Sequence, residues 1–185
     1  RLVEKMAEHY KKHPALVSWH VSNELGCHNR FDYSDDAALG FQKWLKRRYG
    51  TLDALNESWN GSFWSQKVTD WAQLIPPRES MCGGNPTTPL DFKRFSSDAL
   101  LEYYEAEAAV LHRMTPDVPV TTNLMIIESQ TNPVDCFKWG RHLDFVANDH
   151  YYLPDDRHLD EMAMSAAITE GVADKNPWFL MENST

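Results

Sequence analysis

Two glutamates follow directly after short apolar runs, and they are the residues of this chain best suited to chemistry. Glu24 follows residues 19–23 (Trp-His-Val-Ser-Asn), and Glu182 follows residues 178–181 (Trp-Phe-Leu-Met). Short apolar runs are typical of buried parallel strands, so each strand is expected to deliver one carboxylate at its carboxyl end. Two carboxylates that face each other across a sugar ring are the working groups of most glycoside hydrolases. The pair therefore predicts cleavage of a glycosidic bond.

Length and composition indicate how large a core the chain can bury and which kinds of partner it is expected to bind. With 185 residues, 42% of them hydrophobic, the chain can bury one sizeable core. Its net charge is −9, from 18 Lys and Arg against 27 Asp and Glu. An acidic chain of this kind is not expected to bind nucleic acid or an anionic membrane. No apolar run approaches the ~20 residues of a membrane span.

The cysteines and the first residues bear on the compartment. Cys27, Cys82 and Cys136 are odd in number and far apart, which favours reduced thiols over a disulfide framework. The first residues form a charged helical pattern and not a secretory signal. We therefore predict a cytoplasmic protein.

Helices and strands alternate along the chain in the predicted order α-β-α-β-α-β-α-β. Strands are predicted at 16–22, 118–124, 145–150 and 178–181. The main helices are predicted from the first residues to Pro14, at 35–49 with Ser34 as N-cap, at 51–59, from Ser96 or Ser97 to about 114, at 133–141 and at 158–172. Residues 60–89 are rich in Gly, Pro, Ser and Trp and form a long loop, which is expected to border a site or a subunit contact.

This order requires a parallel α/β sheet, in either a barrel or a doubly wound arrangement. No glycine-rich phosphate loop follows a strand, whereas polar residues recur at the strand ends, which favours a (β/α)8 TIM barrel. The polar strand-end residues are Asn23, Glu24, Asn123, Asp149, Tyr151 and Glu182. Four strands make half a barrel with two raw edges. We therefore expect residues 1–185 to be an internal part of one barrel domain.

Several sequence blocks, in one order along nearly the whole chain, carry a family resemblance. The blocks lie at 17–28 (including Asn-Glu-Leu-Gly-Cys-His), 41–45, 49–52, 55–59, 63–65, 90–95, 121–125 and 180–182. In these blocks the chain resembles the glycoside hydrolase family 42 β-galactosidases. The resemblance implies strands four to seven of the catalytic barrel, a β-galactoside substrate, no cofactor, and a homotrimer in the full-length protein.

The resemblance also implies a role for individual residues. Glu24 would be the acid/base and Glu182 the nucleophile of a retaining β-galactosidase. Asn23 would bind the sugar 2-hydroxyl, and Trp64 would form the aromatic wall of the galactose pocket. Tyr151 would donate a hydrogen bond to the nucleophile, with Tyr152 as its rival for that role.

One departure from the family concerns zinc. Many members bind a structural zinc with a Cys-x-Cys-x-x-Cys cluster after the Gly-Cys-His block, and the corresponding positions here are Tyr33, Asp35 and Ala38. A tetrahedral zinc site cannot be made from Cys27 alone, so we predict no metal in this region.

Two other functions remain open at the level of sequence. The 185-residue chain by itself could be a catalytically silent barrel fragment that at most binds sugar weakly. The same scaffold could also serve an α-L-arabinopyranosidase, because L-arabinopyranosides share the stereochemistry of galactose around the ring.

Overall fold

The computed structural model of the chain describes residues 1–79, 84–127, 133–151 and 158–183. Within these ranges the protein is mixed α/β. The helices are α1 (Leu2–Tyr10), α2 (Asp35–Tyr49), α3 (Leu52–Ser58), α4 (Thr87–Met114), α5 (Cys136–Trp139) and α6 (His158–Val172). The strands are β1 (Trp19–His20), β2 (Val120–Thr121), β3 (Asn123–Leu124), β4 (Val146–His150) and β5 (Trp178–Asn183).

All strand pairs are parallel, as the alternating order predicts. β1 pairs with β2, while β3, β4 and β5 form a second sheet in that order. Only Thr122 separates β2 from β3, so the single strand predicted at 118–124 pairs with β1 at its start and with β4 at its end. The strands therefore neighbour one another in chain order, and their carboxyl ends point the same way.

The surface helices follow their local sequence signals. The Ser34 side chain accepts the N–H of Ala37 at 3.1 Å, which confirms it as the N-cap of α2. Gly50 ends this helix with a φ of 74° that a residue with a side chain rarely adopts. Thr51 caps α3 in the same way as Ser34 caps α2.

The predicted start of the long helix is wrong. α4 begins at Thr87, where Asn85 Oδ1 accepts the N–H of Thr87 at 2.9 Å, and Ser96 and Ser97 are buried inside the helix. Ser96 Oγ donates to the carbonyl of Phe92 one turn earlier, so the hydroxyl is satisfied without a helix start. Pro89 did not break the helix because it stands in the first turn, where no N–H donor is required.

Several other boundaries are shorter than predicted. α1 ends at Tyr10, before Pro14, and α5 covers only Cys136–Trp139 of the helix predicted at 133–141. α5 begins later than predicted because Asp135 is its N-cap, with a side chain that accepts the N–H of Lys138. The long loop predicted at 60–89 contains two short 3-10 turns, Phe63–Ser65 and Trp71–Gln73, and residues 80–83 within it lie outside the described ranges.

The chain divides into two compact units, each with its own apolar core. The first unit is Arg1–Arg30 with Ala99–Thr185 and contains all five strands. Its core includes Val21, Tyr104, Val120, Leu124 and Trp139. The second unit is Phe31–Asp98, and its core includes Phe41, Leu45, Leu55 and Phe92. No helix in the described part of the chain is long and apolar enough to cross a membrane.

Candidate active site

Glu24 stands on a strained backbone just after β1. Its φ is 46°, in the left-handed region that costs a residue with a side chain on the order of 1–2 kcal/mol. Such a conformation persists only where neighbours hold it. Here the backbone N–H of Glu24 donates to Asn123 Oδ1 at 2.8 Å, from the end of the neighbouring strand.

Glu182 lies in β5, where Asp149 of β4 is its partner in the sheet. A register shift between Asn148 and Asp149 interrupts the ladder at this point. Such irregularities re-aim side chains and are common beside active sites. The Glu182 carboxylate accepts from Asn123 Nδ2 at 3.2 Å and from the hydroxyl of Tyr151.

The sheet brings three carboxyl groups together. Glu24, Asp149 and Glu182 each offer an oxygen atom, and these three atoms lie within 4.8 Å of one another. Asp149 is fully buried. Burial, the largest cause, and the charge of Glu182 raise the pKa of Asp149 from 3.8 to about 7, although a hydrogen bond from Asn123 opposes the shift. Asp149 is therefore expected to keep its proton at a higher pH than an ordinary aspartate.

Tyr151 is a hydrogen-bond donor to the predicted nucleophile. Its hydroxyl contacts Glu182 Oε2, and this hydrogen bond, followed by burial, raises the pKa of Tyr151 to about 12. The phenol therefore keeps its proton at every pH at which the protein is expected to work. The side chain is 41% exposed, which leaves it open to a ligand. Tyr152, the rival candidate, lies outside the described residues.

The remaining predicted residues differ in their surroundings. Asn23 is exposed, and its Oδ1 accepts from Asn123 Nδ2 at 3.1 Å, so it belongs to the same cluster. Trp64 belongs to the second unit, where it is 72% exposed and stacks on Phe63 with ring centroids 4.9 Å apart. Its φ of 52° is a second left-handed position in a residue with a side chain.

The sequence did not indicate that two buried residues, Asn123 and Asp149, belong to this cluster. Asn123 and Asp149 are polar residues at predicted strand ends, and the family resemblance assigns no role to either. The structure places the Asn123 side chain, 2% exposed, in contact with Glu24, Asp149 and Glu182. His20 also reaches Asn123. The available signal was the position of Asn123 and Asp149 at strand ends, which alone did not separate them from ordinary polar residues.

Cys27 lies beside the predicted acid/base rather than in a thiolate cluster. Its sulfur, a Glu24 oxygen and a His28 nitrogen lie within 4.8 Å of one another. Burial raises the pKa of the Cys27 thiol, and a hydrogen bond with Glu24 raises it further, which disfavours the thiolate that zinc prefers. Neither Cys27 nor Cys136 forms a disulfide in the described part of the chain, and Cys82 lies outside it. The absence of zinc stays a prediction.

Comparison with known proteins shows the family of the chain. The sequence profile of glycoside hydrolase family 42, described as beta-galactosidase, matches residues 1–185. A beta-galactosidase of Bifidobacterium bifidum, BbgII, is 53% identical over 186 residues, which cover 100% of this chain and 27% of that protein. A beta-galactosidase from an Arthrobacter species is 50% identical over 97% of this chain and 26% of its own length.

Solved structures of the same family share the fold. The crystal structure of a beta-galactosidase from Bacillus circulans sp. alkalophilus superposes with a TM-score of 0.87 at 41% identity, over 97% of this chain and 26% of that one. A beta-galactosidase from the haloarchaeon Halorubrum lacusprofundi superposes with a TM-score of 0.89 at 32% identity, over 99% of this chain and 29% of that one. These relatives are TIM-barrel enzymes.

The chain belongs to glycoside hydrolase family 42. It spans 26–27% of the length of the two curated relatives named above.

Proposed function

We propose that this chain carries the catalytic pair of a retaining β-galactosidase, an enzyme that removes terminal β-D-galactose through a covalent galactosyl-enzyme intermediate. The observation that carries the proposal is the separation of Glu24 and Glu182, whose nearest carboxyl oxygens are within 4.8 Å of each other. Retaining enzymes hold their two carboxyl groups ~5 Å apart, whereas inverting enzymes need ~6.5–9.5 Å to admit a water molecule.

The two glutamates have different hydrogen-bond environments, which supports a division of roles. Glu182 accepts hydrogen bonds from Tyr151 and Asn123, and these two donors hold its carboxylate in place for attack. Glu182 is therefore the nucleophile that attacks the anomeric carbon. Glu24, the other glutamate of the pair, is the proposed acid/base, a role that the family resemblance implies. It donates a proton to the glycosidic oxygen and then activates the water that releases galactose.

Two further residues have proposed roles in galactose binding, as the family resemblance implies. Asn23 binds the sugar 2-hydroxyl, a contact that strengthens toward the transition state. Trp64 packs its indole against an apolar face of the sugar, and its exposure and left-handed backbone support a role beyond core packing. No cofactor takes part in this chemistry.

The strands fit one part of a (β/α)8 barrel. In the proposed numbering, β1 is strand four, β2 with β3 is strand five, β4 is strand six and β5 is strand seven. Parallel neighbours in chain order, with polar side chains at their carboxyl ends, support this numbering. The full-length protein is proposed to be a cytoplasmic homotrimer, an inference from the family resemblance that light scattering of the purified protein would test.

Hydrolysis of an aryl β-D-galactoside by the full-length protein tests the proposal. Glu182→Gln is expected to abolish turnover of every substrate. Glu24→Gln is expected to act least on substrates with an activated leaving group, and azide should restore its deglycosylation. Glu170→Gln, an exposed glutamate of α6, is the matched control and should leave turnover unchanged.

The stereochemistry and the sugar are tested in the same assay. Proton NMR of the first product should show a β-anomer, and an α-anomer would contradict retention. A comparison of aryl β-D-galactoside with aryl α-L-arabinopyranoside decides between the two sugars. Faster turnover of the arabinoside would overturn the galactosidase assignment while leaving the catalytic pair in place.

A specific observation favours a silent role for the 185-residue chain by itself. In the described residues β1 pairs on one side only, with β2, and β5 on one side only, with β4. A barrel segment with two open edges lacks the strands that would hold the cluster in place. Turnover by the isolated chain would contradict this second candidate.

A further inference from the structure

The side chain of Asn123 occupies the centre of the cluster and touches residues from every neighbouring strand. On its oxygen side, Oδ1 accepts the backbone N–H of Glu24 at 2.8 Å and lies 2.9 Å from Nε2 of His20 in β1. A backbone N–H can only donate, so this side of the amide must be the oxygen. The oxygen side of Asn123 therefore holds the backbone of the proposed acid/base.

The nitrogen side of Asn123 faces carboxylates. Nδ2 donates to Asp149 Oδ2 at 2.6 Å, to Asn23 Oδ1 at 3.1 Å and to Glu182 Oε1 at 3.2 Å. An amide nitrogen carries two hydrogens, so it can serve two of these three acceptors fully at one time. Protonation of one carboxyl group relieves this competition, which couples the amide to the charge of the cluster.

We propose that Asn123 is a positioning residue that links the two catalytic glutamates of this site. One planar group holds the N–H of Glu24 in its strained conformation and presents an N–H to the side chain of Glu182. The amide thus fixes the acid/base and the nucleophile relative to each other, and it stabilises the ionised nucleophile. This inference rests on the proposed function, because it takes the roles of the two glutamates from there.

The substitution Asn123→Asp, in the full-length protein, separates this role from simple packing. The new side chain has the same shape, and its protonated form keeps a carbonyl oxygen for Glu24 and one donor for the carboxylates. Its ionised form has no donor and adds a negative charge against Asp149 and Glu182. The titratable groups that face position 123 are His20, Glu24, Asp149 and Glu182.

We expect the loss of kcat/KM in Asn123→Asp, relative to the natural protein, to grow as the pH rises from 5 to 9. The loss should be several-fold at the acidic end and on the order of 100-fold at the alkaline end, the size expected for a hydrogen bond to a charged group replaced by repulsion. The neutral variant Asn123→Ser, which is too short to reach the carboxylates, should lose activity by a factor that does not change with pH.

Asn148→Asp is the matched control. Asn148 is a buried asparagine of the adjacent strand whose Nδ2 donates to Ser165 Oγ at 2.9 Å and whose Oδ1 accepts the N–H of Ile126 at 3.0 Å. Because the serine hydroxyl can turn and donate, a carboxylate is tolerated at this position. Its kcat/KM relative to the natural protein should be independent of pH, and a slope equal to that of Asn123→Asp would overturn the proposal.

A crystal structure of the full-length Asn123→Ala variant provides a readout that does not depend on activity. We expect Glu24 to leave its left-handed conformation or the Glu182 carboxylate to turn away, so that the two carboxyl groups move apart by more than about 1 Å. Unchanged positions of both glutamates would overturn the proposal. Absence of galactosidase turnover in the natural protein would instead overturn the proposed function, and the crystal structure would still test the role of Asn123.

Discussion

At the scale of single residues, the cluster is governed by hydrogen bonds to buried carboxyl groups. Glu182 receives donors from two sides, Tyr151 and Asn123, while Asp149 is buried without an opposite charge among its contacts in the described residues. A donor lowers the pKa of a carboxyl group and burial raises it. For Asp149, burial is the larger effect and raises its pKa to about 7.

Replacement of Tyr151 by Phe tests the donor to the nucleophile. Loss of a hydrogen bond to a charged group should lower kcat/KM roughly 10- to 100-fold and move the acidic limb of the pH profile upward. Tyr103→Phe is the matched control, since the hydroxyl of Tyr103 donates to Glu107 at 3.2 Å on the exposed face of α4. An equal loss in both variants would contradict a specific role for Tyr151.

Replacement of Asp149 by Asn tests its raised pKa. The folded pKa of about 7 lies above the value of 3.8 for an ordinary Asp, so the folded state binds more protons between about pH 4 and 7 and loses stability as the pH rises. The neutral variant lacks this loss. Its Tm, relative to the natural full-length protein, should therefore rise as the pH increases from 4 to 7.

Asp117→Asn, at an exposed aspartate in the turn before β2, is the control for this pH series. Its Tm difference from the natural protein should stay flat over the same range. A flat difference for Asp149→Asn as well would mean that Asp149 is ionised throughout and that its surroundings stabilise the charge.

At the scale of elements, a buried aspartate joins the helices of the second unit. Asp91 Oδ2 accepts from Tyr49 at 2.6 Å and from Trp59 at 3.0 Å, and Oδ1 accepts from Arg94 at 2.9 Å. These partners come from the end of α2, the end of α3 and α4 itself. A fully buried charge is tolerated here because each oxygen has a donor.

We expect Asp91→Asn to destabilise the protein by about 3 kcal/mol, since its amide group turns a donor toward donors and leaves Arg94 without a charge partner. Denaturant unfolding of the full-length protein measures the change. Asp53→Asn, at an exposed position of α3, should change the free energy of unfolding by less than about 0.5 kcal/mol. Comparable effects of the two substitutions would show that the Asp91 contacts contribute little.

Alanine substitutions at two glycines where α5 and α6 meet are expected to have opposite effects on stability. A Cβ added at Gly140, just after α5, would lie 2.4 Å from the carbonyl oxygen of Val172, whereas a Cβ at Gly171 meets only Phe137 at 3.7 Å. Gly140→Ala should therefore lower stability by about 1–3 kcal/mol, and Gly171→Ala should raise it by up to ~1 kcal/mol through helix propensity. Thermal unfolding of both variants checks the signs, and stabilisation by Gly140→Ala would contradict the contact.

At the scale of the whole molecule, the proposed catalytic pair spans a row of parallel strands whose two outer edges are unpaired in the described residues. Glu24 and Glu182 come from β strands at opposite ends of the row, and Asn123 and Asp149 lie on the strands between them. The geometry of the pair therefore depends on all four strand segments together. The strands that would flank β1 and β5 in a barrel are not part of this chain as described.

We predict that the full-length protein hydrolyses an aryl β-D-galactoside at least about 1,000-fold faster than the isolated 185-residue chain. A displacement of ~1 Å in a catalytic group can lower the rate ~100-fold. Unpaired strand edges allow larger displacements than this. Parallel assays at equal molar concentration, with circular dichroism to follow the fold, measure the difference. Equal rates would show that the four strands suffice to hold the site.

The sequence alone was sufficient for the features that depend on short-range chemistry. Ser34 and Gly50 bound α2 because capping is a local interaction. The strands predicted before Glu24 and Glu182 exist, but β1 covers only Trp19–His20 of the predicted 16–22, and no residue of β5 is fully buried. The family resemblance follows from the same residues. By contrast, Ser96 misled the prediction of α4, since a serine that bonds back to Phe92 is indistinguishable in sequence from a serine that caps a helix.

The tertiary structure alone decided how the polar strand-end residues combine. Asn123 and Glu182 are remote in sequence, and nothing local to Asn123 indicates that its amide faces Glu24 on one side and two carboxyl groups on the other. Likewise, the proton affinity of Asp149 comes from burial and from the charge of Glu182, both of which exist only once β4 and β5 pair. Residue types set the available chemistry, whereas distances and burial, created by folding, set which group holds the proton.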